Sequence, residues 1–269
     1  MHIILWGLPV SLISNTFIHS SFQITIRIRE KGDGGTREAI DSSIVLFGSS
    51  IVQYSFGHGG WGATLAHFYS RQADVVLRGY AGWNSRQALQ VLPTVFPKDA
   101  PVQPSLVIVY FGGNDSCRPH PYGLTPHVPL SEYKENMRQI GLYIRSLSET
   151  TRVVFLSCPP VSEKMLVGSP RTYEACRVYS NACIEMCNEL SCKDQSFKVI
   201  DLFKSIQKRQ DWADVCFIDG IHFLEAASEI VAAEILKVIS ESKWEPSLYL
   251  GDLPTEFEDV MYPIQPFEN

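Results

Sequence analysis

A chain of 269 residues, 45% of them hydrophobic, is long enough to bury one core of ordinary size with extensions at its ends. A formal charge of −6 leaves no basic footprint, so nucleic acid is excluded as a partner. Seven cysteines, an odd number with none before Cys117, do not form a small disulfide framework and point to a reducing compartment.

In chain order, the first segment is "MHIILWGLPVSLISNTFIHSS". Its apolar run is too short to span a bilayer, so no transmembrane segment is predicted. It also lacks the basic leader and small-residue cleavage site of a signal peptide. A cytoplasmic location is therefore expected, with secretion as the alternative. "REKGDGGTREAIDS" follows, charged and glycine-bearing, and residues 1–42 are predicted to be a flexible N-terminal extension.

From residue 43 short β-branched runs alternate with longer amphipathic stretches. Strands are predicted at "SIVLFG" (43–48), "DVVLRG" (74–79), "SLVIVYFGG" (105–113), "RVVFLSCPP" (152–160) and "FKVIDLF" (197–203). Their near-continuous apolar character suits a parallel sheet covered on both faces. A helix is expected in "WGATLAHFYSR" (61–71), with Trp61, Leu65 and Phe68 on the core. In residues 130–149, Tyr133, Met137, Ile140, Ile144 and Leu147 recur at helical spacing. Cys176, Cys183 and Cys187 fall on one face of another helix, where buried apolar cysteine is the expected role. Ile230, Val231, Ile235, Val238 and Ile239 line a last helix over 225–241. The alternation predicts an α/β fold, a three-layer α/β/α sandwich on a mostly parallel five-stranded sheet over residues 43–242. Residues 243–269, rich in proline and acids, are expected to wrap the surface or fray.

Open parallel sheets bind ligands beyond the C-terminal ends of their strands. What stands there is informative. After the first strand come Gly48, Ser49 and Ser50. After the second comes "RGYAGWNSR", with Gly79, Gly82 and Asn84. "GGNDS", residues 112–116, follows the third, and "CFIDGIHF" places Asp219 and His222 three residues apart near the end. A serine hydroxyl needs a base to remove its proton, histidine suits that task, and a carboxylate can fix the imidazole tautomer. The oxyanion that forms on an attacked carbonyl needs fixed donors, which glycine-turn N–H groups and the amide of Asn114 can supply.

These islands resemble the blocks of the SGNH, or GDSL, hydrolases: "FGSSIV", "GYAGWN", "GGND" and "DGIH", in that order, over about residues 43 to 240. "RGYAGWNSR", "VIVYFGGND" and "DGIHF" look most like the isoamyl-acetate-hydrolysing esterase branch and its plant relatives. The resemblance implies Ser50 as nucleophile, His222 as general base and Asp219 as its orienting carboxylate. It implies the N–H groups of Ser50 and Gly82 and the Asn114 amide as the oxyanion hole. It further implies a metal-free, cofactor-free esterase acting on small esters, acetates or acetylated carbohydrate. One position departs from the family: its first block reads Gly-Asp-Ser, and here Ser49 stands in the middle. Ser49 is thus a rival nucleophile, and loss of catalysis, leaving a glycan- or ester-binding protein on the same scaffold, is the alternative reading.

Other patterns read more plainly. "GHGGWG" (57–62) fits G-x-G-x-x-G but does not follow its strand directly, so a turn into a helix is expected instead of a dinucleotide site. His58, His67, His120 and His127 lack compact metal-ligand spacing and are expected in loops or on the surface. Asp115 is expected to stabilise a turn and Cys117 to be a loop thiol. Tyr54, Phe56, Tyr80 and Trp83 either line a pocket or pack inside.

Overall fold

The computed structural model describes residues 42–57 and 59–256. The N-terminal extension, His58 and the end of the tail lie outside the described residues. Five strands, β1 (Ser43–Gly48), β2 (Asp74–Gly79), β3 (Leu106–Tyr110), β4 (Arg152–Leu156) and β5 (Phe197–Ile200), form a sheet in the order β2-β1-β3-β4-β5. Every pairing is parallel, with Ile44 opposite Val75 on one side and Leu106 on the other.

Because side chains alternate across a strand, each run feeds two cores at once. Val45, Phe47, Val107, Val109, Val153 and Phe155 face helices α3 (Ser85–Val95), α4 (Leu130–Arg145) and α5 (Tyr173–Ser191). Ile44, Leu46, Leu106, Ile108, Val154 and Leu156 face α1 (Ser50–Gln53), α2 (Trp61–Phe68) and α8 (Glu225–Ser242). Short helices α6 (Leu202–Gln207) and α7 (Trp212–Val215) complete the chain between β5 and α8. Burying each large aliphatic or aromatic side chain contributes about 1.5–3 kcal/mol, so continuous apolar strands are what a twice-covered sheet requires. The result is the three-layer α/β/α sandwich.

The α4 stripe is buried from Tyr133 to Ile144, with Leu147 buried just beyond the helix, and Cys176, Cys183 and Cys187 are buried along α5. Three strand ends are shorter than predicted. Phe111, Cys158 and Phe203 remain in the core after their chains leave the ladder, so apolarity continues where pairing stops. Asp201 stops the fifth run by capping α6 through the N–H of Lys204. Phe68 is a second correction: it is 39% exposed, and Tyr69 takes the buried place one residue on. There its hydroxyl donates to Leu248 O at 3.0 Å. The described part of the tail does wrap, with Trp244 and Leu248 buried and Arg152 donating to Glu245 O at 2.6 Å.

Candidate active site

β1 ends at Gly48 because the chain turns there into α1 with no room for a side chain. A Cβ on Gly48 would collide with Val52 and with the carbonyl of Tyr110 on β3. The turn leaves Ser50 at the first position of α1, where its N–H is one of the donors a helix leaves unpaired. From the other end of the domain, His222 Nε2 lies 2.9 Å from Ser50 Oγ, and His222 Nδ1 lies 2.6 Å from Asp219 Oδ2. An ionised carboxylate only accepts, so Nδ1 carries the ring proton and Nε2 is left to accept from the Ser50 hydroxyl. Ser49 is 3% exposed, and the hydroxyl that meets His222 is that of the half-buried Ser50.

The Asp219–His222 loop is fixed locally. Asp219 Oδ1 accepts from the N–H groups of Ile221 and His222 at 3.0 and 2.8 Å. Ile218 N donates to His222 O at 2.9 Å and Leu224 N to Cys216 O at 2.9 Å, closing a tight loop around the pair. Burial alone would raise the Asp219 carboxyl, but the backbone and ring hydrogen bonds from His222 and the N–H of Ile221 together hold it below its ordinary value. Gly220 sits at φ +87°, and a Cβ there would meet Leu166 Cγ and Ser162 O at 2.9 Å. Tyr54 packs edge-on against the His222 ring with centroids 5.3 Å apart.

Hydrogen bonds tie the remaining blocks to the same rim. Tyr80 N donates to Gly48 O at 2.8 Å, and Ser49 N to Tyr110 O at 3.2 Å. Ala81 N donates to Gln53 Oε1 on α1 at 2.7 Å, and Asn114 Nδ2 donates to Trp83 O at 2.8 Å. Gly82 lies exposed in the turn between Tyr80 and Trp83, whose rings stack 4.3 Å apart and pack on the core. Asn84 is a helix cap: it accepts from Gln87 N at 3.1 Å while Gln87 Oε1 accepts from Asn84 N at 3.0 Å.

Two residues carry more than the sequence indicates. Asp115 is fully buried, and its Oδ1 accepts the N–H of Ser85 at 2.9 Å, bracing the asparagine block against the start of α3. Its Oδ2 has no partner among the described residues, and burial pushes the carboxyl up to about 6 despite the bonds from Ser85. Arg171, which no spacing or composition signals, donates from Nη2 to Asn114 Oδ1 at 2.5 Å. His127 is ordered too, its Nδ1 lying 2.7 Å from Cys117 O, while His67 and His120 are exposed.

The pattern of the GDSL-like lipase/acylhydrolase family matches residues 44–235, a stretch that includes all four blocks. The chain belongs to this family. Membership makes it a carboxylic ester hydrolase. The GDSL esterase/lipase WDL1 of Oryza sativa subsp. japonica is 56% identical over 229 residues, covering 82% of this chain and 86% of that protein. An isoamyl acetate-hydrolyzing esterase 1 homolog of Rattus norvegicus is 35% identical over 199 residues, 70% of this chain and 77% of its own. Among solved structures, a lipase/acylhydrolase from Enterococcus faecalis shares the fold at 20% identity, with a TM-score of 0.60 over 80% of this chain and 98% of that one. In this GDSL hydrolase the first block carries Ser49 in place of the family aspartate, and the buried Ser49 side chain makes no cap bond to α1. No helix among the described residues is long and apolar enough to cross a membrane.

Proposed function

We propose that this GDSL hydrolase is a serine esterase that works through an acyl-enzyme on Ser50. The observation that carries the reading is the continuous chain from Ser50 Oγ to His222 Nε2 at 2.9 Å and from His222 Nδ1 to Asp219 Oδ2 at 2.6 Å. Ser50 Oγ attacks the ester carbonyl carbon as its proton passes to His222 Nε2. The carbonyl oxygen becomes an oxyanion, received by the N–H groups of Ser50 and Gly82 and by the Nδ2 hydrogen of Asn114 that Trp83 does not use. The C–O bond to the alcohol breaks, and His222 returns its proton to the leaving oxygen. A water then attacks the acyl carbon and gives its proton to Nε2, and as the Ser50–acyl bond breaks to release the acid, His222 returns that proton to Ser50 Oγ. Asp219 stays charged throughout and stabilises the imidazolium.

Small carboxylic esters, acetates or acetylated carbohydrate, are the proposed substrates. The name of the Rattus norvegicus relative supports an acetate ester. The test is turnover of p-nitrophenyl acetate, butyrate and octanoate by the wild type and Ser50→Ala. Ser50→Ala should lose on the order of 10⁴-fold or more in kcat while remaining folded, and kcat/KM should fall from acetate to octanoate. Wild-type rates in Ser50→Ala would remove the nucleophile assignment, and a preference for octanoate would remove the small-ester one.

A further inference from the structure

Arg171 is placed where a cation gains little from the fold. It stands immediately before Thr172, the N-cap of the 19-residue helix α5, and that end of a helix carries the positive pole of its dipole. No ion pair to Arg171 is present among the described residues. Its Nε is buried there without a hydrogen-bond partner, an arrangement that costs stability. Yet the segment that carries it is anchored. Arg118 N donates to Pro170 O at 2.8 Å and Arg171 N to Ser169 Oγ at 3.3 Å, fastening the approach to α5 onto the loop beyond Asn114.

What this placement achieves lies in the side chain of Asn114. An asparagine amide can flip, exchanging its donor and acceptor ends. Here the two ends meet partners of opposite kind. Arg171 Nη2 only donates, and it holds Oδ1 at 2.5 Å; Trp83 O only accepts, and it takes one hydrogen of Nδ2 at 2.8 Å. A flipped amide would oppose donor to donor and acceptor to acceptor. The second hydrogen of Nδ2 therefore keeps one direction. A charge-assisted bond to Oδ1 also draws electron density from the amide, which strengthens the remaining N–H as a donor.

We propose that Arg171 is a positioning residue for ester hydrolysis, fixing and polarising the Asn114 amide so that its free N–H meets the oxyanion. The inference rests on the proposed Ser50 mechanism and deepens it. Because Arg171 acts only through Asn114, its effect appears in kcat and disappears when the Asn114 amide is absent.

The test is a double-mutant cycle in the full chain, read on p-nitrophenyl acetate with thermal unfolding of each variant. Asn114→Ala should lower kcat by roughly 10²–10³-fold. Arg171→Met should lower kcat by roughly 10- to 100-fold with KM within about twofold, the range a small misplacement near the chemistry produces. Arg171→Lys should recover part of that loss. On the Asn114→Ala background, Arg171→Met should change kcat by less than about threefold. The same full loss on both backgrounds, a raised KM at unchanged kcat, or wild-type kcat in Arg171→Met would overturn the inference; Arg171→Gln carries the same readings should the Met variant not fold. Ser50→Ala, assayed alongside, separates the two levels. If it is inactive while the cycle is additive, only the role of Arg171 falls; if it is fully active, the Ser50 mechanism and this inference fall together.

Discussion

Asp115 is the residue whose chemistry runs against its surroundings. Fully buried, with one oxygen on the Ser85 N–H and the other unpartnered, it has its carboxyl raised from 3.8 to about 6. Between those values the folded chain binds the proton more readily than the unfolded one. The stabilising contribution is therefore complete below about 3.8 and lost as pH rises through about 6, by roughly 3 kcal/mol in all. Asp115→Asn keeps an oxygen for Ser85 N–H but cannot ionise. Urea unfolding from pH 4 to pH 8 should show the wild type losing stability relative to Asp115→Asn as pH rises. Parallel pH profiles would mean that Asp115 does not carry this linkage. Asp219 has the opposite sign: its lowered carboxyl contributes stability above its ordinary 3.8, lost only as pH falls through its lower folded value. Neither sign was legible in the sequence, where both residues are simply aspartates beside functional ones.

At the scale of elements, the site depends on short loops held by backbone bonds, with helices and strands behind them. The Cys216–Leu224 loop presents Asp219 and His222, and it rests on the segment after β4 through Ser162 N and Gly220 O at 2.9 Å. Gly220→Ala meets two obstacles, a positive φ and a Cβ 2.9 Å from Ser162 O. The left-handed conformation alone should cost about 1–2 kcal/mol. Because the loop must shift to admit the methyl group, turnover should fall by up to about 10²-fold, more than stability predicts. Unchanged kcat with only a lowered Tm would show that the loop relaxes without moving the pair. The four blocks were visible because each follows a strand and contains residue types with recognisable chemistry. Arg171 and Gln53 were not, because their partners Asn114 and Ala81 lie far off in sequence and meet them only after loops fold back. A lone arginine or glutamine in an irregular segment carries no period.

Across the whole molecule, the parallel sheet brings Ser50 and His222, 172 positions apart, to one edge. The alternation of β-branched runs with amphipathic stretches was enough to predict that sheet, since strands buried on both faces must be apolar throughout. It blurred where buried side chains continue past the ladder, as at Phe111 and Cys158. Ester hydrolysis through an acyl-enzyme requires the Ser50 oxygen to be an activated nucleophile, with Ser49 an inert neighbour. Fluorophosphonate labelling followed by peptide mapping tests this directly, with the wild type, Ser50→Ala and Ser49→Ala compared. One adduct, on Ser50, should form in the wild type and in Ser49→Ala, and none in Ser50→Ala. An adduct on Ser49, or folded wild-type protein that takes no label, would contradict the Ser50 mechanism.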